Sequence, residues 1–112
     1  MVIKKIPPRR GDIVWISLYP QADHEQTGRR PALILSPQKY NDRVGLALMC
    51  PITSIVKGYP FEVQLPGDCS VNGVVLSDQV KSLDWRARMI EVIKRTSDSF
   101  IDSVLEKLRT LL

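Results

Sequence analysis

The apolar residues of this chain change period near residue 97. Beyond it, Phe100, Ile101, Val104, Leu105, Leu108, Leu111 and Leu112 recur every three or four residues, the spacing that lines one side of a helix. Ser97 offers an N-cap hydroxyl, so the sequence predicts a helix from there to the C-terminus. Before it, apolar residues come in short runs cut by turn formers. Residues 1–10 read as a loose leader closed by Pro7 and Pro8. "GDIVWISLYP" predicts a first strand from Asp12 to Leu18, stopped by Pro20, and residues 19–29 a long loop. "RPALILS" predicts a second strand and "PQKYND" a turn or one helical turn. "VGLALMCPITS" predicts a long third strand in which Pro51 marks a bulge or an edge. "FEVQLP" alternates as a half-buried strand does; "VVLSDQVKSLDW" and "ARMIEVIKRT" supply two or three more. Short, closely spaced strands followed by one helix imply a mainly β fold, a small and partly open β-barrel with a C-terminal helix packed on it.

Composition narrows the class. A chain of 112 residues suits one domain and can bury roughly 65% of the surface its unfolded state exposes, enough for a core without staples. Sixteen Lys and Arg against twelve Asp and Glu leave a net charge of +4. That leans towards a polyanionic partner, although a solvated basic surface explains the charge equally well. Cys50 and Cys69 form no C-x-x-C pair and the one histidine, His24, is far from both, too few ligands for a structural zinc. Each cysteine reads as a small core residue of a reduced, cytosolic protein. "MVIKKIPPRR" has charge but no apolar run, so no signal peptide is expected, and no stretch approaches a membrane span.

Chemistry gathers in "HEQTGRRPALIL", which sets His24, Glu25, Arg29 and Arg30 at the mouth of a buried strand. Pro31 pushes Arg30 towards an extended backbone, and a strand holds a guanidinium more rigidly than a loop tip does. An arginine there can equally serve only to pair a neighbouring carboxylate such as Glu25.

Together "GDIVWISLYP", "HEQTGRRPALILSP", "CPITS", "KGYPFEV" and "DQVKSLDWRAR" resemble the MazF/PemK family of toxin endoribonucleases, in order and with family spacing from about residue 10 to the C-terminus. The match is nearest to the MazF branch. The resemblance implies an SH3-like β-barrel of the PemK/CcdB toxin type. It also implies metal-independent cleavage of single-stranded RNA at short sequences, no cofactor, a cytoplasmic homodimer, and restraint by an antitoxin. Carried over by motif, the G-x-R-P arginine falls on Arg30, the P-x-T-S threonine on Thr53 and the E-Q glutamate on Glu25. The histidine of the PemK branch falls on His24 and the D-Q aspartate on Asp78, both further catalytic candidates. Two positions depart: Arg29 stands where the MazF branch often has His, and Leu76 where the PemK branch has Arg.

The implied reaction suits these residues. RNA supplies its own nucleophile, the 2′-OH, and attack builds negative charge on the phosphoryl oxygens. Arg30 is the expected partner for that charge and the Thr53 hydroxyl a second donor. Glu25 and His24 are the candidates for base and acid. Arg29, Asn41, Lys57, Tyr59, Gln79 and Lys81 lie in the resembling segments and can supply phosphate contacts, stacking and base-edge hydrogen bonds. Trp15 and Trp85 read as core or interface residues instead. An acidic, extended antitoxin is the simplest inhibitor of a basic RNA groove. Two rival readings share the fold: a non-enzymatic toxin of the gyrase-poison type, whose tryptophan-bearing tail "LRTLL" lacks, and a plain SH3-like nucleic-acid-binding module.

Overall fold

Strand β1, Asp12–Ser17, is the first element of the computed structural model, which describes residues 5–17 and 28–112. Strand β2, Arg29–Ile34, runs back along it. Helix α1 covers Gln38–Val44; Pro37 is extended at its N-cap and Gly45, at φ +80, ends it in the left-handed region that glycine tolerates best. The expected single turn is therefore two turns, and Val44 and Gly45 belong to the helix and its stop instead of the third strand. Strand β3, Leu46–Thr53, follows, then β4, Glu62–Gln64, β5, Val74–Leu76, β6, Lys81–Asp84, and β7, Glu91–Arg95.

Helix α2 spans Asp98–Arg109. The Ser97 hydroxyl accepts from the Phe100 N–H at 3.2 Å, the cap the sequence promised, and Ile101 and Val104 are its buried residues. Leu111 and Leu112 lie past its end and stay exposed, so the apolar period outruns the helix.

All strand pairs are antiparallel, in the order β4-β5-β3-β2-β1-β7, with β6 also against β3. Among the described residues the path ends on β4 and β7 and does not close, so the small β fold is there an open sheet, not a closed barrel. β3 is its hub. One edge pairs with β2; the other pairs with β6 over Leu46–Met49 and with β5 at Ile52 and Thr53. Pro51 is neither a bulge nor an edge: it stays in register with Ala32 and falls where β3 exchanges β6 for β5. A residue without an N–H is tolerated where one ladder stops before the next begins.

Both faces of the sheet are buried. One carries Ile13, Leu33, Cys50, Ile52 and Val75 under Ile101 and Val104 of α2. The other carries Val14, Ile16, Ala32, Ile34, Ala47 and Met49 against Trp85, which is fully buried. Cys50 lies in the first layer and Cys69 packs beside it, both free thiols. Among the described residues no helix is long and apolar enough to cross a membrane.

Candidate active site

The two core layers stop where β1 ends and β2 begins, and the cleft opens there. Ile16 pairs with Arg30 across the β1–β2 ladder. Ala32 pairs with Pro51 across β2–β3, and continuing that register by two residues sets Arg30 opposite Thr53. Facing residues on neighbouring antiparallel strands hold their Cβ atoms about 4.5–5.5 Å apart. Arg30 is exposed, with Nη1 donating to the Arg29 carbonyl at 2.8 Å, which fixes one side of its fork. Thr53 is half-buried, and its Oγ1 accepts from the Ile55 N–H at 3.1 Å, leaving the hydroxyl proton to donate elsewhere. Gly73 holds that strand end from behind: at φ +129, a Cβ there would meet the Thr53 carbonyl oxygen at 2.1 Å.

Three adjoining clefts share Thr53. The first, about 660 Å³, is lined by Arg29, Arg30, Trp15, Thr53 and Asn72 among others. The second, about 490 Å³, has Arg30 and Thr53 again, with Gln79, Lys81 and Arg88. The third, about 220 Å³, joins Thr53 to Lys57, Tyr59, Asp78 and Gln79. Residues expected from four separate segments thus converge on one strand end. Four of the cations there, Arg29, Arg30, Lys57 and Lys81, were expected. Arg88, whose Nη1 donates to the Ser17 carbonyl at 3.1 Å, was not.

Individual placements follow local chemistry. The Glu62 carboxylate accepts from the N–H groups of Lys57 and Gly58, both at 3.0 Å, and so shapes the turn that carries Tyr59. Tyr59 is 60% exposed, with the Lys57 ammonium 5.9 Å from its ring centre. Arg29 pairs with Glu91 at 2.8 Å and lies 5.6 Å from the Trp15 ring centre. Trp15 therefore lines the cleft, against expectation, while Trp85 is core as expected. Asp78 is exposed at the rim of the third cleft, where its charge adds to burial in pushing the Cys50 thiol up to about 12. His24 and Glu25 lie outside the described residues, in the connection whose two ends, Ser17 and Arg29, pair at the cleft.

Asn41 is the correction. It is the buried residue of α1, donating to the carbonyls of Pro8 at 2.9 Å and Ser36 at 3.1 Å and accepting from the Ser36 hydroxyl. Its own carbonyl takes the Trp85 indole N–H at 2.8 Å. A side chain so committed ties the segment before β1 to the core and is not open to an RNA base. Among the described residues no three His, Cys, Asp or Glu side chains are grouped to hold a metal. The arrangement can instead place fixed positive charge and a hydroxyl donor against a phosphate within a groove of further cations.

The chain is similar to known proteins. A family model described as the PemK-like, MazF-like toxin of type II toxin–antitoxin systems matches residues 9–112. The chain is 47% identical over 87 residues, 78% of either protein, to the endoribonuclease toxin MazF of Escherichia coli K12. Against endoribonuclease PemK of Escherichia coli it is 35% identical over 116 residues, covering 100% of this chain and 87% of that one. The crystal structure of MazF from Deinococcus radiodurans superposes with a TM-score of 0.84 at 50% identity, over 96% of this chain and 97% of that one. A chain of the MazE–MazF crystal structure from the same organism gives 0.85 at 44% identity, over 96% of each. A match over nearly the whole length in sequence and fold leaves one assignment: the chain belongs to the PemK-like, MazF-like toxins of type II toxin–antitoxin systems.

Proposed function

We propose that the chain is the toxin of a type II toxin–antitoxin pair, a cytoplasmic endoribonuclease that cuts single-stranded RNA at short sequences and so inhibits translation and growth. The observation that carries this reading is that Arg30 and Thr53, on neighbouring strands, line the same two clefts. The 2′-oxygen next to the scissile phosphate attacks phosphorus, and the bond to the 5′-oxygen breaks. The Arg30 guanidinium meets the charge that builds on the phosphoryl oxygens, and the Thr53 hydroxyl donates a second hydrogen bond to them. Glu25 or His24 takes the 2′-OH proton, and the other returns one to the leaving 5′-oxygen. Asp78 is a third titratable group at the rim. The products are a 2′,3′-cyclic phosphate and a 5′-OH. Lys57, Lys81, Arg29, Tyr59 and Gln79 hold the strand by charge, stacking and base edges. The same cationic groove suits an acidic antitoxin peptide that orders as it binds, and the toxin acts as a two-fold homodimer with two such sites.

Incubation with a long RNA in EDTA tests the reading. Fragments ending in a cyclic or opened phosphate and a 5′-OH are expected, and an oligonucleotide with one 2′-deoxy residue at the cut should resist. Retention of RNA without cutting identifies a binding module, and normal cleavage of the deoxy substrate refutes the mechanism.

A further inference from the structure

Strand register puts Arg29 in an unusual setting. Trp15 faces Pro31 on one side and Glu91 on the other, so these three side chains form a row on one face of β2, β1 and β7. Arg29 pairs with Ser17 and shares that face, one diagonal step from Trp15. Its guanidinium reaches back across β1, lies over the indole at 5.6 Å from the ring centre, and ends on the Glu91 carboxylate at 2.8 Å. Arg30, its neighbour, belongs to the opposite face with Ile16. The two adjacent cations are thereby separated: one is neutralised and laid against an aromatic ring, the other is left exposed.

An exposed ion pair by itself holds little, because water screens it and two long side chains must be fixed. Here the indole restrains the same guanidinium from a second direction. About a third of the Arg29 side chain, 30%, stays open, and it lines the first cleft. A planar guanidinium restrained beside an aromatic ring and still partly open to the cleft offers a stacking surface for a nucleobase.

We infer that Trp15, Arg29 and Glu91 form a base-stacking subsite, in which Arg29 carries the base next to the cut and Glu91 is the positioning residue that keeps Arg29 off the phosphate. This rests on the endoribonuclease reading and deepens it: part of the sequence preference is set by a flat cation and not by a base-edge code. A purine offers the larger stacking face and is the favoured class there.

The test compares wild type with Glu91→Ala, Glu91→Gln and Arg29→Lys. Binding is measured on an oligonucleotide made cut-resistant by one 2′-deoxy residue, across a salt series, and single-turnover cleavage on RNAs that differ only in the base beside the cut. In Glu91→Ala the released Arg29 turns to phosphate, so the slope of log affinity against log salt steepens by about 0.7, one added contact to a single strand. Discrimination between purine and pyrimidine at that base falls roughly tenfold, the scale of one lost stack. Glu91→Gln follows in the same direction to a smaller extent. Arg29→Lys keeps the charge and loses the plane, so discrimination falls while the salt slope stays with wild type. A merely structural ion pair would lower the melting temperature and move neither readout. If wild type cuts RNA while all three folded variants keep its slope and its preference, this inference is overturned and the endoribonuclease reading stands. If wild type cuts no RNA, both fall.

Discussion

Replacing Asn41 by alanine removes an amide whose partners are all buried. The carbonyls of Pro8 and Ser36 each lose a donor, at 2.9 and 3.1 Å. The Ser36 hydroxyl loses its acceptor but still receives the Leu48 N–H at 2.9 Å, and it can rotate. The Trp85 indole still donates to the backbone carbonyl of residue 41, which the substitution leaves in place. The cost therefore comes mainly from two buried carbonyls left unpaired, about 1–3 kcal/mol each, or about 4 kcal/mol together. Against a total stability of about 5–15 kcal/mol that is a large share. At about 4 °C per kcal/mol for a domain this size, the melting temperature should fall by about 15 °C. Circular dichroism melts give that shift. RNA cleavage measured well below the new midpoint should stay within about twofold of wild type, because Asn41 does not face the cleft. A variant with an unchanged melting temperature and lost cleavage would refute the reasoning and return Asn41 to the RNA surface.

Other outcomes follow from the same geometry. Arg30→Ala and Thr53→Ala should each lower the cleavage rate by about a hundredfold or more, the usual effect of removing one donor to a developing oxyanion. Neither is buried, so calorimetry should find both variants folded; near-full activity in folded Arg30→Ala would remove the site. Cys50, pushed up to about 12, should resist iodoacetamide at pH 8 until the chain unfolds, since roughly one thiol in ten thousand is ionised there. Its pKa is raised by folding from an ordinary 9.0, so its contribution to stability is full below pH 9 and is lost as pH rises towards 12. Urea midpoints should thus fall more steeply above pH 9 in wild type than in Cys50→Ala.

Strands β1, β2, β3 and β5 were legible because each is a compact apolar run, and β4 because its residues alternate. Their partners were not, because both faces of the central sheet are covered, and runs such as "ALIL" and "LALMC" carry no alternation to say which residue faces where. The capped helix was legible from Ser97 and the period after it. Helix α1 was half read, since Val44 and Gly45 precede an apolar run and Gly45 in fact stops the helix. The motif threonine and arginine were found through resemblance, but their placement opposite one another depends on β-register, which no local pattern encodes. Asn41 was misread because a polar residue in a turn-like segment usually faces water. Here it anchors the segment before β1 through the Pro8 carbonyl. Glu91 had no local signal at all: its meaning comes from Trp15 and Arg29, which reach it only across the sheet.

Gly73 sets a mechanical stop for the cleft. Its backbone presses on the Thr53 carbonyl with no room for even a methyl group, while Val71 and Asn72, just before it, form part of the cleft wall. The wall can therefore be rebuilt residue by residue without moving the hydroxyl beside it. Tolerance of side chains along this loop therefore ends abruptly at Gly73, the one position where the wall meets the frame.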